Sequence, residues 1–208
     1  MVHIVSALNR AGFADQIAQM HRDRKRVFVD WLKWNVPVVD GQYEIDQFDD
    51  DRAVYLIDSD ATSGRHLASM RLLPSTGPHL LRDVFPELCD EPLPEGDDVM
   101  ELTRFCVSPD VPKAEGPLLM SRMWVAAVEY ALLFGITRYS CVSHLARLSV
   151  LLSSGLDARP LGLPREIEGQ MVGAILFTIS PETLRDSRRR FGYRATVLDV
   201  LIPAAAAA

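Results

Sequence analysis

Two ionisable residues, Glu101 and Arg104, interrupt the stretch Val99 to Pro109, which otherwise reads as an apolar strand. Its side chains alternate, with Met100, Leu102 and Cys106 on one face and Glu101, Thr103, Phe105 and Val107 on the other. Charges are rare in a central strand unless paired or put to use. The pair fits a structural Glu101–Arg104 ion bond, and it equally fits a catalytic carboxylate held over a cleft. Asp46 and Asp49 lie three residues apart between Asn35 and Asp51, a stretch with Pro37, Gly41 and five Asp. By themselves they speak for turn chemistry or solvation. The stretch is too polar for a core element and reads as a long loop, a form that often carries function in compact domains. Before it, Arg24 and Phe28 share one face of a helix, which sets a cation beside a ring. Trp31 and Trp34 lie just past that helix.

The elements that must position these groups follow from periodicity and punctuation. A first edge strand is expected at His3 to Ala7, an amphipathic helix at Phe13 to Asp30, and a hairpin pairing Ala53 to Ile57 with His66 to Leu73. A short helix spans Leu80 to Phe85 between prolines. After the central strand come a helix from Leu118 to Phe134 ended by Gly135, a strand from Ile136 to Ser143, and a helix from His144 to Ser154 closed by Gly155. A strand at Val172 to Ser180, a helix at Pro181 to Arg190 and a last strand at Arg194 to Ile202 complete the order. Hairpins early and crossovers later predict an α/β, three-layer α-β-α sandwich around one mixed sheet. One domain is expected over residues 1–203, followed by a low-complexity tail at 204–208.

At 208 residues and 48% hydrophobic, the chain can bury one good core. A net charge of −6 argues against nucleic acid and anionic membrane surfaces as partners. The basic runs Arg22 to Arg26 and Arg185 to Arg190 have acids close by and read as solvated helix faces. Cys89, Cys106 and Cys141 are odd in number and widely spaced, which predicts free thiols in a reducing compartment and no metal site. No signal peptide is expected, and the apolar stretch Met123 to Ile136 is too short for a bilayer and contains Glu129. The expectation is a soluble cytoplasmic domain. The histidines, His144 among them, receive no role.

Read together, several segments resemble the acyl-homoserine lactone synthases, the autoinducer-making enzymes of bacterial quorum sensing. They are Arg24-x-x-x-Phe28 through Trp34, Glu44-Ile45-Asp46-Gln47-Phe48-Asp49, Met70-Arg71-Leu72-Leu73-Pro74 with Thr76-Gly77-Pro78, Phe85-Pro86-Glu87-Leu88, and Glu101-Leu102-Thr103-Arg104-Phe105. Their order and spacing over residues 24 to 105 make the match specific. The C-terminal half is similar only through Gly155-Leu156 and Leu161-Gly162.

The resemblance implies a GNAT-like fold whose sheet is splayed to admit an acyl-pantetheine arm. It implies two substrates, S-adenosylmethionine and an acyl thioester on CoA or on acyl carrier protein, and no cofactor. Glu101 becomes the expected base and Arg104 its catalytic neighbour. Arg24, Phe28, Trp34, Asp46, Asp49, Arg71, Thr103 and Phe105 become the S-adenosylmethionine site and its lid. Leu102, Met123, Trp124, Ser143 and Leu152 become candidate linings of an acyl tunnel between the sheet and the helix at Leu118 to Phe134. Two other readings remain: an N-acetyltransferase using acetyl-CoA, and an inactive acyl-ligand-binding domain. The first lacks its Gly-rich pyrophosphate turn here, since Pro109 to Pro117 has one glycine, Gly116. The second is disfavoured by the intact Glu101 and Arg104.

Overall fold

A computed structural model describes residues 1–199. Eight strands of its main sheet run in the order β11-β1-β4-β5-β6-β7-β10-β8, and β9 pairs with β10 as the ninth. They are β1 (Val2–Val5), β4 (Val54–Ser59), β5 (His66–Pro74), β6 (Val99–Val107), β7 (Arg138–His144), β8 (Ala158–Pro160), β9 (Arg165–Ile167), β10 (Gln170–Thr178) and β11 (Leu198–Asp199). A two-stranded ribbon of β2 (Val38–Val39) and β3 (Tyr43–Glu44) stands apart. The helices are α1 (Ala14–Arg24), α2 (Leu80–Asp83), α3 (Gly116–Phe134), α4 (Leu145–Leu152) and α5 (Pro181–Phe191). The expected first edge strand is not at the edge, because β11 pairs with it in parallel. The end of the expected last strand and the low-complexity tail lie outside the described residues.

Period-two alternation decides which face each strand gives to which helix. On β4, Leu56 joins the core under α3, whereas Tyr55 and Ile57 join Val5, Met20 and Phe48 under α1. On β10, Ile175 and Phe177 face α3, and Ala174 and Leu176 pack with Leu81 and Leu88 on the opposite side. Helices thus cover both faces of the sheet. Helix α3 ends at Gly135, which takes the left-handed φ of 72° that an L side chain adopts only with strain.

Two expectations fail here. With its 3-10 lead-in, the α3 helix runs 22 residues from Lys113 to Phe134, so shortness does not exclude a bilayer span. Its place is against the sheet, where Met123, Ala127 and Tyr130 are buried in the main core. Glu129 accepts from Arg188 Nη2 at 2.6 Å, Thr196 Oγ1 at 2.8 Å and Leu198 N at 3.0 Å, tying α5 and β11 to this helix. The second failure is the long loop. Besides carrying β2 and β3, it buries Glu44 completely, and its Phe48 is 2% exposed among Met20, Tyr55 and Leu73. A mostly polar composition hid one apolar anchor.

Phe48→Ala should therefore lower unfolding free energy by about 3–5 kcal/mol, the usual cost of emptying a buried aromatic site. Denaturant unfolding checks this, and a wild-type midpoint would mean that the segment is not docked in the core.

Candidate active site

The site forms where β6 changes partners. From Val99↔Arg138 to Leu102↔Cys141 it pairs in parallel with β7, and there the pairing stops. Strand β7 continues to His144 beside β10, while β6 continues beside β5, so the sheet splays between residues 103–107 and 142–144. On the β5 side the register slips between Ser69↔Cys106 and Arg71↔Thr103, leaving Arg104 and Phe105 opposite Met70 alone. This is a β-bulge, and Arg104 takes a left-handed φ of 51° within it.

The extra residue inverts the alternation read from sequence. Phe105 and Val107 pack with Met100 and Leu102 under α3, instead of sharing a face with Glu101 and Thr103. Phe105 is accordingly not gathered with the other expected S-adenosylmethionine residues.

Those others converge beneath α1. Arg24 grips Asp49 with Nη1–Oδ1 at 2.8 Å and Nη2–Oδ2 at 2.9 Å, and its Nε and Nη2 donate to Glu44 Oε2. Arg71 reaches Asp46 at 2.6 and 3.0 Å, Asp49 at 2.8 Å, and Thr103 Oγ1 at 3.0 Å. Arg104 donates from Nε to Glu44 Oε1 at 3.1 Å and from Nη2 to Asp46 Oδ2 at 2.7 Å. Three guanidiniums thus meet three carboxylates in a region where Arg24, Arg71 and Glu44 are fully buried. Burial alone would raise the Asp49 carboxyl, but Arg24 and then Arg71 hold it well below the usual carboxylate range. Tyr55 Oη donates to Asp49 Oδ1 at 2.9 Å, and the Asp46 amide donates to Asp49 Oδ2 at 2.9 Å.

Sequence reasoning assigned no role to Glu44, the third carboxylate. Its signal was present, two residues before Asp46 at the end of a ribbon strand, but the ribbon itself was read as loop. The predicted Arg24–Phe28 contact is replaced. Helix α1 relaxes into a π-helical turn, Lys25–Trp31, and Arg24 is spent on its carboxylates. The cation over Phe28 is Arg104, 5.7 Å from that ring centroid and 6.0 Å from that of Trp34. The two rings stack at 4.7 Å and 6°. Trp34 also lies 5.7 Å from the ring of His144 at the end of β7, so it touches residues of both parted strands. His144 therefore lines this site, although sequence reasoning gave it no role.

Glu101 is not bonded to Arg104. Its two oxygens accept the backbone N–H groups of Leu80 at 2.8 Å and Leu81 at 2.7 Å, at the start of α2. Burial pushes its carboxyl up to about 7, against the opposing pull of those N–H groups and of Arg71 and Arg104. Arg24 and Arg71 direct every guanidinium nitrogen at a protein acceptor, whereas Arg104 Nη1 has none among the described residues. The site therefore offers a high-pKa carboxyl, a free cationic donor and a stacked aromatic pair.

The expected acyl linings divide. An apolar cavity of about 220 Å³ lies between α4 and β10, walled by Leu145, Leu148, Leu152, Gly162, Pro164 and Gly173 among others. Of the five candidates only Leu152 lines it. Leu102, Met123 and Trp124 are in the packed core under α3, with Trp124 Nε1 donating to Ser187 at 3.0 Å. Ser143 is half-buried and pairs across the ladder with Gly173, a wall of the cavity. No group of three or more His, Cys, Asp or Glu side chains is placed to hold a metal among the described residues.

Infrared difference spectra should show the Glu101 carboxyl band vanishing with a midpoint near pH 7, well above an ordinary carboxyl. Because this acid is raised on folding, its protonated form is the stabilised one, and its contribution to stability fades as pH climbs from about 4.3 toward that midpoint. E101Q should lack the band and lose about 10²–10⁴-fold in turnover. Its amide also turns an N–H toward one helix amide, so stability should fall by about 1–3 kcal/mol. Near-wild-type rates in E101Q would remove Glu101 from the chemistry.

Known proteins are similar to this chain in sequence and fold. Residues 10–186 match the model of a family described as autoinducer synthase. The acyl-homoserine-lactone synthase of Ralstonia nicotianae is 36% identical over 171 residues, covering 77% of this chain and 80% of its own. The isovaleryl-homoserine lactone synthase of Bradyrhizobium diazoefficiens is 31% identical over 199 residues, 95% of this chain and 88% of its own. Among solved structures, the CoA-dependent acyl-homoserine lactone synthase BjaI, with SAM and isopentyl-CoA, superposes at a TM-score of 0.86 and 27% identity. That match covers 96% of this chain and 92% of that one. A putative N-acetyltransferase from Lactobacillus plantarum, at 19% identity and a TM-score of 0.55 over 86% and 99% of the two chains, shares the fold. The chain belongs to the autoinducer synthase family.

Proposed function

We infer that this enzyme acylates the amine of S-adenosylmethionine from a CoA thioester and closes the product to an N-acyl-homoserine lactone. Glu101 carries the reading. A free α-amine is mostly protonated at pH 7, with a pKa of roughly 8. A carboxyl raised to about 7 takes that proton against only about a tenfold bias, directly or through one water. The neutral nitrogen attacks the thioester carbon and the oxyanion forms near the unpaired β6 amides beyond Leu102; as it collapses the thioester C–S bond breaks, and the proton shed by the acylated nitrogen passes to the departing thiolate, which leaves as the thiol. The methionine carboxylate then attacks its own γ-carbon. That C–S bond breaks in turn, the sulfonium leaves as methylthioadenosine, and no further proton is consumed. Ring closure is intramolecular, so the site mainly holds the folded-back conformer. Arg104 Nη1 is the assigned holder of the substrate carboxylate, and the Phe28–Trp34 stack is the surface for adenine or the sulfonium.

The donor assignment rests on α4. A carrier protein is acidic and needs a basic landing surface. On α4 Arg147 is the cation present, and its Nη1 contacts Met120 Sδ. Ser149 and Ser153 bond back to carbonyls of their own helix. Free thiols and a CoA donor support a cytoplasmic setting for the reaction.

The acyl chain is assigned to the cavity under α4. It is about half again the size of an engineered cavity of roughly 150 Å³ that admits benzene, so the favoured acyl group is short.

Purified protein given S-adenosylmethionine and acyl-CoA should release methylthioadenosine and acyl-homoserine lactone in equal amounts by mass spectrometry. A preference of more than about tenfold for the same acyl group on carrier protein, fading with salt, would overturn the donor assignment. Formation of neither product with any donor would overturn the function.

A side chain at Gly173 would meet Leu148, since a Cβ there lies 2.7 Å from Leu148 Cδ1. Gly173→Val should lower kcat/KM for the longest accepted acyl-CoA by about 10–200-fold and spare acetyl-CoA. Uniform loss across chain lengths would move the acyl pocket elsewhere.

A further inference from the structure

Acyl transfer moves two protons, and Glu101 accounts for one. Its carboxyl takes the first from the ammonium, whereas the second leaves the nitrogen only as the C–N bond forms, when the departing sulfur needs it. One more side chain is placed to handle that second proton.

The chain has five histidines. In four of them Nδ1 lies against an oxygen: His3 at 3.2 Å from Asp199 Oδ2, His21 at 2.9 Å from Glu44 O, His66 at 2.8 Å from Asp23 Oδ2 and His79 at 2.8 Å from Gly77 O. The half-buried His144 is the exception, and neither of its ring nitrogens has a protein partner among the described residues.

The strand ladder fixes where this free imidazole stands. Glu101 pairs in parallel with Ser140, and alternate side chains share a face, so Ser140, Val142 and His144 continue the row that begins beside Glu101. Val142 packs with Leu81, on the side from which the Leu80 and Leu81 amides reach Glu101. His144 ends the row roughly 13 Å beyond Ser140, at four residues of about 3.3 Å each, in the open part of the splay. Its ring is 5.7 Å from that of Trp34, which in turn lies 6.0 Å from the Arg104 guanidinium. The next residue, Leu145, walls the cavity under α4. A thioester with its acyl chain in that cavity and its carbonyl carbon facing an amine held near Arg104 therefore passes His144.

We propose that His144 is a catalytic residue that relays the proton from the acylated nitrogen to the departing sulfur. The assignment rests on the acyl-transfer reading above and adds a residue to it. As the C–N bond forms, one ring nitrogen takes the proton from the substrate nitrogen. The thioester C–S bond breaks, its electron pair goes to sulfur, and the ring gives a proton to the thiolate. The imidazole begins and ends neutral, so the step needs no co-reactant. A ring with both nitrogens uncommitted accepts at one and donates from the other, which a ring tied through Nδ1 does less readily.

The test changes the leaving atom and nothing else in the donor. A selenol is a far stronger acid than a thiol, so a selenolate leaves without taking a proton, and seleno-CoA keeps every binding group of CoA. In His144→Gln and His144→Ala, kcat/KM for acyl-CoA should fall by at least about 10²-fold, the low end for a lost proton-transfer group. With the same acyl group on seleno-CoA the loss should stay below about tenfold. An equal loss with both donors overturns the proposal and marks a packing role beside Trp34. A loss of less than about tenfold with acyl-CoA overturns it as well. Failure of the underlying function looks different, since the wild type itself would then form no lactone from either donor.

Discussion

The charge network of Arg24, Arg71 and Arg104 with Glu44, Asp46 and Asp49 is the constraint on which the site depends. Withdrawing six charged groups from water is costly, and their mutual attraction repays it only when geometry is near ideal. The bidentate pairs between Arg24 and Asp49 and between Arg71 and Asp46 supply that geometry. Such a network adds little net stability, but it admits few arrangements. It therefore fixes the Glu44–Asp49 segment against α1, β5 and β6 at once. Removing any one member strands a partner charge in the interior, an effect usually worth about 3–5 kcal/mol.

Local irregularities in the scaffold serve that network. The bulge at Arg104 turns a guanidinium toward Glu44 and Asp46 that regular alternation would have sent elsewhere. It sends Phe105 to the opposite face in exchange. The π-helical turn after Arg24 presents Phe28 to the same guanidinium, and the chain then folds back so that Trp34 lies flat on Phe28. A left-handed arginine and a π turn are each unfavourable alone. They persist because burial, ion pairing and stacking all depend on them together.

Glu101 illustrates how one environment gives a carboxylate an unusual proton affinity. Two helix amides and two guanidiniums favour its charge, while loss of solvent opposes it more strongly. The result lies close to the affinity of the amine it is assigned to deprotonate. The opening of the sheet beside it follows from the end of β6–β7 pairing at Leu102, which leaves strand edge available to a substrate.

Much of this molecule was legible in the chain itself. Residue order along a strand or helix sets local periodicity, so the main helices, the β4–β5 hairpin, the central strand and the clustered motif residues are visible without coordinates. The sequence alone determined the family and picked out most of the residues that meet at the candidate site, because ion-pairing and aromatic side chains at fixed spacing survive where the surrounding core varies. Only the tertiary structure decided the rest. Glu44 became a site residue through a two-residue ribbon, too short to leave a periodic signal. Glu101 took helix amides in place of Arg104, and Arg104 in place of Arg24 took the ring of Phe28. The cavity assigned to the acyl chain lies under α4 and not α3. Each of these turns on contacts between segments distant in sequence, set by a single inserted strand residue and by packing across the sheet, which no local spacing encodes.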